Sequence, residues 1–430
     1  MNARASGLVA LVIAACGSSA PQSPDAAGNH DGPVAPDAPV IADAPDPDAR
    51  VAPDAAPSVT PAYVAGLEHV CALDATGSLR CWGANDFGQL GIAPTELCGS
   101  IACAKQPMMV LDGVAAVGAG GDSTCAIMAD HTVRCFGGDD DDALGFAAPD
   151  VCGSTPCVRT PHEVTGLTAS AISMWASLSC ALRDGEVWCA GDNTYGQLGI
   201  GTTSAMAGFV QVAGLPEPAT AVVVGFDHAC ALLADGTVAC WGGNYERALG
   251  SATTEVCDGS YCHTTPIRVP GLSDVVSIAG GIRHTCALRG DHTVWCWGSN
   301  DDAQAGPTAT CGLSCQDLHQ VAVSDVREIA AGHAHTCARL ADNTVTCWGD
   351  NSRRQVALNS TTNCGHGYLS CVPEPTAVAD VSGVSSLVLG QNQSCALLAA
   401  GGAMCWGSGE RGQFGTGEQV SFVGPTMVTW

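Results

Sequence analysis

One phrase recurs seven times along the chain: a Cys, an apolar pair, a turn, and a second Cys that usually leads into Trp-Gly. The first copy runs from Cys71-Ala72-Leu73 to Cys81-Trp82-Gly83. The other copies pair Cys125 with Cys135, Cys180 with Cys189, Cys230 with Cys240, Cys286 with Cys296, Cys337 with Cys347, and Cys395 with Cys405. Successive second cysteines lie 54, 54, 51, 56, 51 and 58 residues apart. A fixed period near fifty residues marks a repeat architecture. A unit of that size is too small to bury its own apolar face, so stacked units must share one core.

Each unit reads as strands. A small, apolar segment such as Ser277-Ile278-Ala279-Gly280 precedes the first Cys. Cys-Ala-Leu then meets a turn such as Asp235-Gly236 or Asp184-Gly185, and β-branched residues follow, as in Thr237-Val238. That is a hairpin pattern. Cysteines nine or ten residues apart on its two strands can face each other across the ladder and bridge.

After the second Cys comes a Gly-rich phrase, Trp82-Gly83-Ala84-Asn85-Asp86-Phe87-Gly88-Gln89-Leu90-Gly91, with related forms at 191–199 and 406–415. A Pro-x-x-Val strand completes the unit, as in Pro266-Ile267-Arg268-Val269. These phrases resemble the regulator of chromosome condensation repeat over residues 61–430. The resemblance implies an all-β, seven-bladed propeller of four-stranded blades. The chain stops just after Pro425-Thr426-Met427-Val428, and the first copy starts abruptly at Tyr63. The expectation is that the C-terminal strand joins the first blade and closes the ring, which removes sheet edges.

The formal net charge is −26, with one lysine, Lys105. Nucleic-acid binding needs clustered Lys and Arg, so that class is excluded. Of 25 cysteines, the hairpin pairs use fourteen. Five closer pairs lie between strands: Cys98 with Cys103, Cys152 with Cys157, Cys257 with Cys262, Cys311 with Cys315, and Cys364 with Cys371. Zinc pairs are often separated by two residues and need a partner pair nearby. These gaps are mostly four and fall in separate units, which favours disulfides and an oxidising compartment.

Cys16 is left without a mate. It follows Arg4 and the short apolar run Gly7 to Ala15, which cannot span a bilayer as a helix. Ile13-Ala14-Ala15-Cys16-Gly17 resembles a bacterial lipobox. Residues 1–15 then form a signal peptide, and Cys16 is the lipidated anchor of a monomeric protein at the outer membrane or cell surface. Residues 16–60, rich in Pro, Ala and Asp, have the composition of a disordered tether. At ~3.1 Å per residue the tether reaches on the order of 130 Å.

Departures from the repeat mark the candidate sites. Histidine sits two residues before the first Cys at His69, His228, His284 and His335, but Ser123, Leu178 and Gln393 fill the slot elsewhere. That mixture favours packing over metal binding. Asp139-Asp140-Asp141-Asp142 lack the spacing of a calcium loop. A solvated acidic turn is favoured there, with a cation site as the alternative. Trp175 stands where the other copies have Gly66, Gly120, Gly225, Gly281, Gly332 and Gly390, and is a candidate binding anchor. Trp188 and Trp295, each before a repeat Cys, and Tyr261 and Tyr368, inside cysteine-paired connections, are further candidates.

No nucleophile elbow, His-Glu-x-x-His or asymmetric carboxylate pair appears. Neither a catalytic set, a cofactor nor a metal is expected. The five long connections with cysteine pairs occupy equivalent places and should crowd one face, rigid and ready to bind. Eukaryotic members of the family include GTPase exchange factors that bind chromatin, and an acidic, cysteine-rich exported chain does not inherit that role. The expected function is an exported, membrane-anchored scaffold presenting a propeller face to a protein partner. The alternatives are a glycan or cell-wall binding module, or a propeller enzyme with a site at the central channel.

Overall fold

The structure is a computed structural model that describes residues 59–93, 96–307, 314–359, 362, 364 and 370–428. Cys16, the Pro/Ala/Asp-rich segment, Cys311 and Tyr368 lie outside the described residues. Seven antiparallel sheets follow in chain order, each built from one repeat. Blade one comprises Ala62–Ala65, His69–Leu73, Leu79–Ala84 and Ile101–Leu111. The innermost strands of successive blades touch each other in sequence, and Val384–Leu389 of blade seven touches Ala62–Ala65 of blade one. The all-β, seven-bladed ring is therefore as the repeats imply.

The hairpin cysteines sit directly opposite one another. Cys71 faces Cys81, Cys125 faces Cys135, Cys180 faces Cys189 and Cys230 faces Cys240. Cys286 faces Cys296, Cys337 faces Cys347 and Cys395 faces Cys405. Each of the seven pairs is bridged with a Cα separation of 4.1 Å, as the hairpin spacing implies. The tight turns between them are set by aspartate. Asp235 Oδ1 accepts the Thr237 N–H at 3.0 Å, and Asp291 and Asp342 do the same for Thr293 and Thr344.

Blades are joined by the Trp-Gly phrase. The indole Nε1 of Trp241, Trp348 and Trp406 donates to the backbone carbonyl of Gln197, Gln304 and Gln355 in the preceding blade. At the seam Trp82 donates to the Gln413 carbonyl at 2.8 Å. Asparagine holds the loop that carries this carbonyl: Asn85 Oδ1 accepts the Leu90 N–H and its Nδ2 donates to the Ile92 carbonyl.

Closure differs from expectation in its pairing. The C-terminal strand Val420–Val428 hydrogen-bonds to Ala403–Gly409 in blade seven and does not enter blade one. Ala62–Ala65, just ahead of the first repeat Cys, already supplies the inner strand of blade one. No place in that sheet remains for the C-terminus. The C-terminal blade nevertheless closes the ring: Val428 is buried in one apolar cluster with Tyr63, Val70, Trp82 and Phe414.

Candidate functional face

The ring has two chemically different faces. On one, the turn aspartates are satisfied by their own loops. Hydrogen bonds from Thr76 hold Asp74 down to about 2, and those from Thr237, with Arg268, do the same for Asp235. The other face carries the tips between first and second strands and the loops after Trp-Gly. Backbone hydrogen bonds tie these together, from Ala84 N–H to Glu68 O and from Gly243 N–H to Asp227 O. Here burial pushes Glu68, Asp140, Asp141 and Asp350 upward, and Asp139 and Asp227 up to about 6.

The cysteine-paired connections belong to this second face. In blades one, two and four they form short hairpins that add a fifth strand, closed by Cys98–Cys103, Cys152–Cys157 and Cys257–Cys262. The Asn85, Asp139 and Asn244 N–H groups donate to the carbonyls of Ala102, Pro156 and Tyr261 on these hairpins. In blade six Cys364 is bridged to Cys371. In blade five Cys315 lies on the strand Ser314–Val321, opposite Gly298. Its expected mate Cys311 is outside the described residues, and the bridge between Cys311 and Cys315 is outside them too.

Each of the three hairpins presents one apolar residue at the same place. Leu97 is 62% exposed, Val151 64% and Val256 60%, with Tyr261 at 62% beside Val256. A sequence signal existed for them: an acidic residue, an aliphatic residue and Cys recur as Glu96-Leu97-Cys98, Asp150-Val151-Cys152 and Glu255-Val256-Cys257.

Trp175 is fully buried, which corrects its reading as a surface anchor. The reason lies in the histidine slot. A Cβ at Gly66, Gly281 or Gly332 would lie 1.8–2.2 Å from the ring of His69, His284 or His335. The third copy has Leu178 where His stands, and the indole of Trp175 joins the core there, edge-on to Phe226 at 6.2 Å. Trp188 and Trp295 lie on blades three and five with blade four between them, packed against different core clusters. Their Nε1 atoms donate to Glu186 and Thr293 in their own strands or turns. They form no shared surface.

The slot histidines are inter-blade links. His69 Nε2 bonds Thr124 of the next blade at 2.8 Å, and Thr124 Oγ1 donates to the Gln89 carbonyl. His228, His284 and His335 repeat the contact with Thr285, Thr336 and Ser394. Burial pushes His69, His284 and His335 down to about 3 and His228 to about 4, so all are neutral rings.

Among the described residues, the carboxylates of Asp139 to Asp142 do not converge on one point as cation ligands would. Asp139 instead occupies the loop-holding asparagine slot. Its Oδ1 accepts the Leu144 N–H at 2.9 Å, and its buried Oδ2 makes no close hydrogen bond. Glu255, Cys257 and Cys262 do lie close together, but the sulfurs are bridged and Glu255 accepts from Thr264 through both oxygens. No metal fits there.

Family models of the regulator of chromosome condensation repeat match residues 64–89, 219–247, 275–304 and 326–355, and also 184–232 and 235–288. Protein pim1 of Schizosaccharomyces pombe is 26% identical over 384 residues, covering 81% of this chain and 69% of that protein. The secretion-regulating guanine nucleotide exchange factor of Bos taurus is 24% identical, with coverage of 83% and 80%. The ultraviolet-B receptor UVR8 of Arabidopsis thaliana is 27% identical, with coverage of 85% and 80%. Among solved structures, yeast RCC1 (Prp20) bound to Kap60 aligns with a TM-score of 0.70 at 23% identity, covering 82% of this chain and 83% of that one. Human WBSCR16 aligns at 0.68 and 21%, with coverage of 82% and 95%.

Proposed function

From a chain that carries regulator of chromosome condensation repeats folded as a seven-bladed propeller, we infer that its role is to dock a protein partner on the hairpin face. The observation that carries this is the repeated placement of an exposed apolar residue on three disulfide-closed hairpins of one face. Exposed apolar side chains repeated at one position of one face offer a partner area to bury. Their short closed loops lose little further entropy when a partner binds. A yeast protein of this fold is seen bound to Kap60, which supports a protein as the class of partner. The acidic surface favours a partner with a basic rim. The chain acts as a scaffold, exported and held at the cell envelope through lipidated Cys16.

Affinity capture from envelope and secreted fractions tests the docking face. The bait is the oxidised full chain, compared with Leu97→Ser/Val151→Ser/Val256→Ser/Tyr261→Ser. One stoichiometric protein held by the parent and lost at least tenfold from the variant is expected. Equal capture by both would remove the hairpins from the interface. For the anchor, Cys16→Ser should move the protein from the membrane fraction to the soluble one.

A further inference from the structure

Away from the hairpin tips, the same face brings together side chains that the repeat does not explain. Phe226-Asp227 and Ile282-Arg283 are equivalent strand-to-strand tips of blades four and five, joined by the Phe226 N–H donating to the Ile282 carbonyl at 2.9 Å. The Arg283 guanidinium lies over two rings, 5.8 Å from the centre of Phe226 and 5.5 Å from that of Tyr245. Both rings are fixed from behind. Phe226 meets Trp175 edge-on, Tyr245 meets Tyr195 edge-on at 5.3 Å, and the Tyr245 hydroxyl donates to Ser260 on the blade-four hairpin.

The charged groups in this cradle have no hydrogen-bond partners among the described residues. Among the described residues Arg283 makes neither a side-chain hydrogen bond nor an ion pair, and its Nε is buried without a partner. Neighbouring His333, whose carbonyl accepts the Ile282 N–H, has a buried Nε2 without a partner. Asp227 is buried, and among the same residues its carboxylate also lacks a hydrogen bond. The seam between blades seven and one offers the contrast: there the tip residue Glu68 closes an ion pair with Arg411 at 3.2 Å. Asp227 and Arg283 are close enough to affect each other's charge, yet no direct bridge joins them.

We propose that Asp227 and Arg283 form a binding site for a free α-amino acid with an aromatic or aliphatic side chain. The ligand ammonium faces Asp227, and the guanidinium forks the carboxylate. The rings of Phe226, Tyr195 and Tyr245 wall the side chain. Other chemistries leave one charge uncompensated. A simple carboxylate or phosphate meets Asp227 and the −26 field of the protein. A simple amine or a metal cation meets Arg283. A zwitterion satisfies both groups at once, in partly buried surroundings where pairing is worth more than in water.

Ligand-observed saturation-transfer NMR on the oxidised full chain tests this with L-phenylalanine, phenylalaninamide and N-acetyl-L-phenylalanine. L-phenylalanine should bind, and each analogue, missing one charge, should bind at least tenfold more weakly. Arg283→Gln and Asp227→Asn should each weaken L-phenylalanine at least tenfold while the ring stays folded: Arg283→Gln loses only its contacts with the two rings, and Asp227→Asn removes a buried charge and should not lower the melting temperature. Arg283→Lys, which keeps the charge without the fork, should fall between. The four-residue hairpin variant should bind L-phenylalanine normally, which separates this site from the docking face. Equal binding of the analogues, or no signal from L-phenylalanine, L-tyrosine or L-leucine, would overturn the proposal.

Discussion

Acid should unfold this ring through its inter-blade histidines. His69, His228, His284 and His335 are buried and bonded to a hydroxyl of the next blade. Their folded values, about 3 to 4, lie below the unfolded value of about 6.5. The unfolded chain therefore binds protons that the folded ring refuses. The stability these rings contribute is present above pH ~6.5 and lost as pH falls toward their folded values. Each ring loses ~1.4 kcal/mol per pH unit, so four lose roughly 8 kcal/mol between pH 6.5 and 5. Asp139 and Asp227, raised to about 6, act in the opposite sense. Below pH 6 they return part of this, while buried His333, held down to about 4, adds to the loss, so the net is a loss of several kcal/mol (roughly 5 or more), comparable with the whole stability of many domains. Guanidinium melts of the oxidised protein between pH 7.5 and 5 measure this. The sharper comparison is His284→Gln/His335→Gln, which installs the residue found in the same slot at Gln393. The variant should start less stable at pH 7.5 and lose stability more slowly, by roughly 3 kcal/mol per pH unit. A variant with the parent's pH slope would refute the reading of these rings as buried and neutral.

Three further perturbations probe the frame. Leu178→His alone should destabilise blade three by several kcal/mol, ~3 or more, because the ring would claim the space of Trp175. Adding Trp175→Gly should recover part of that loss, and a thermal double-mutant cycle with no coupling would contradict the Gly–His rule. Asp139→Asn restores the loop-holding amide, so its melting temperature should rise by the equivalent of ~1 kcal/mol above pH 6 and the gain should fade at lower pH, where Asp139 is protonated. Cys286→Ala/Cys296→Ala should cost ~2–3 kcal/mol in chemical melts, as expected for a short closed loop.

Much of the frame was legible because it is local. Cys230 and Cys240 are opposed by one hairpin, and ten residues of alternating pattern and a turn aspartate determine that register. The same holds for the hairpin closed by Cys257–Cys262. Illegible were the places where blades meet. Whether the C-terminal strand joins blade one or blade seven depends on which sheet already has its inner strand. Trp175 reads as a surface anchor when it is set alone against the glycines of the other copies. Its burial follows from a second change, Leu178, that frees the space three residues away.

The sequence by itself determined the number of blades, their strands and the partners of the hairpin cysteines. Each rests on contacts within one repeat, where the alternation of side chains leaves a single workable register. Only the tertiary structure decided that Asp227, Tyr245, Arg283 and His333 share one corner of the face, and that Leu97, Val151 and Val256 are each exposed on hairpins of that same face. Arg283 and His333 come from the two repeats after the one that holds Asp227 and Tyr245, and the stacking of successive blades, rather than the spacing along the chain, brings them together.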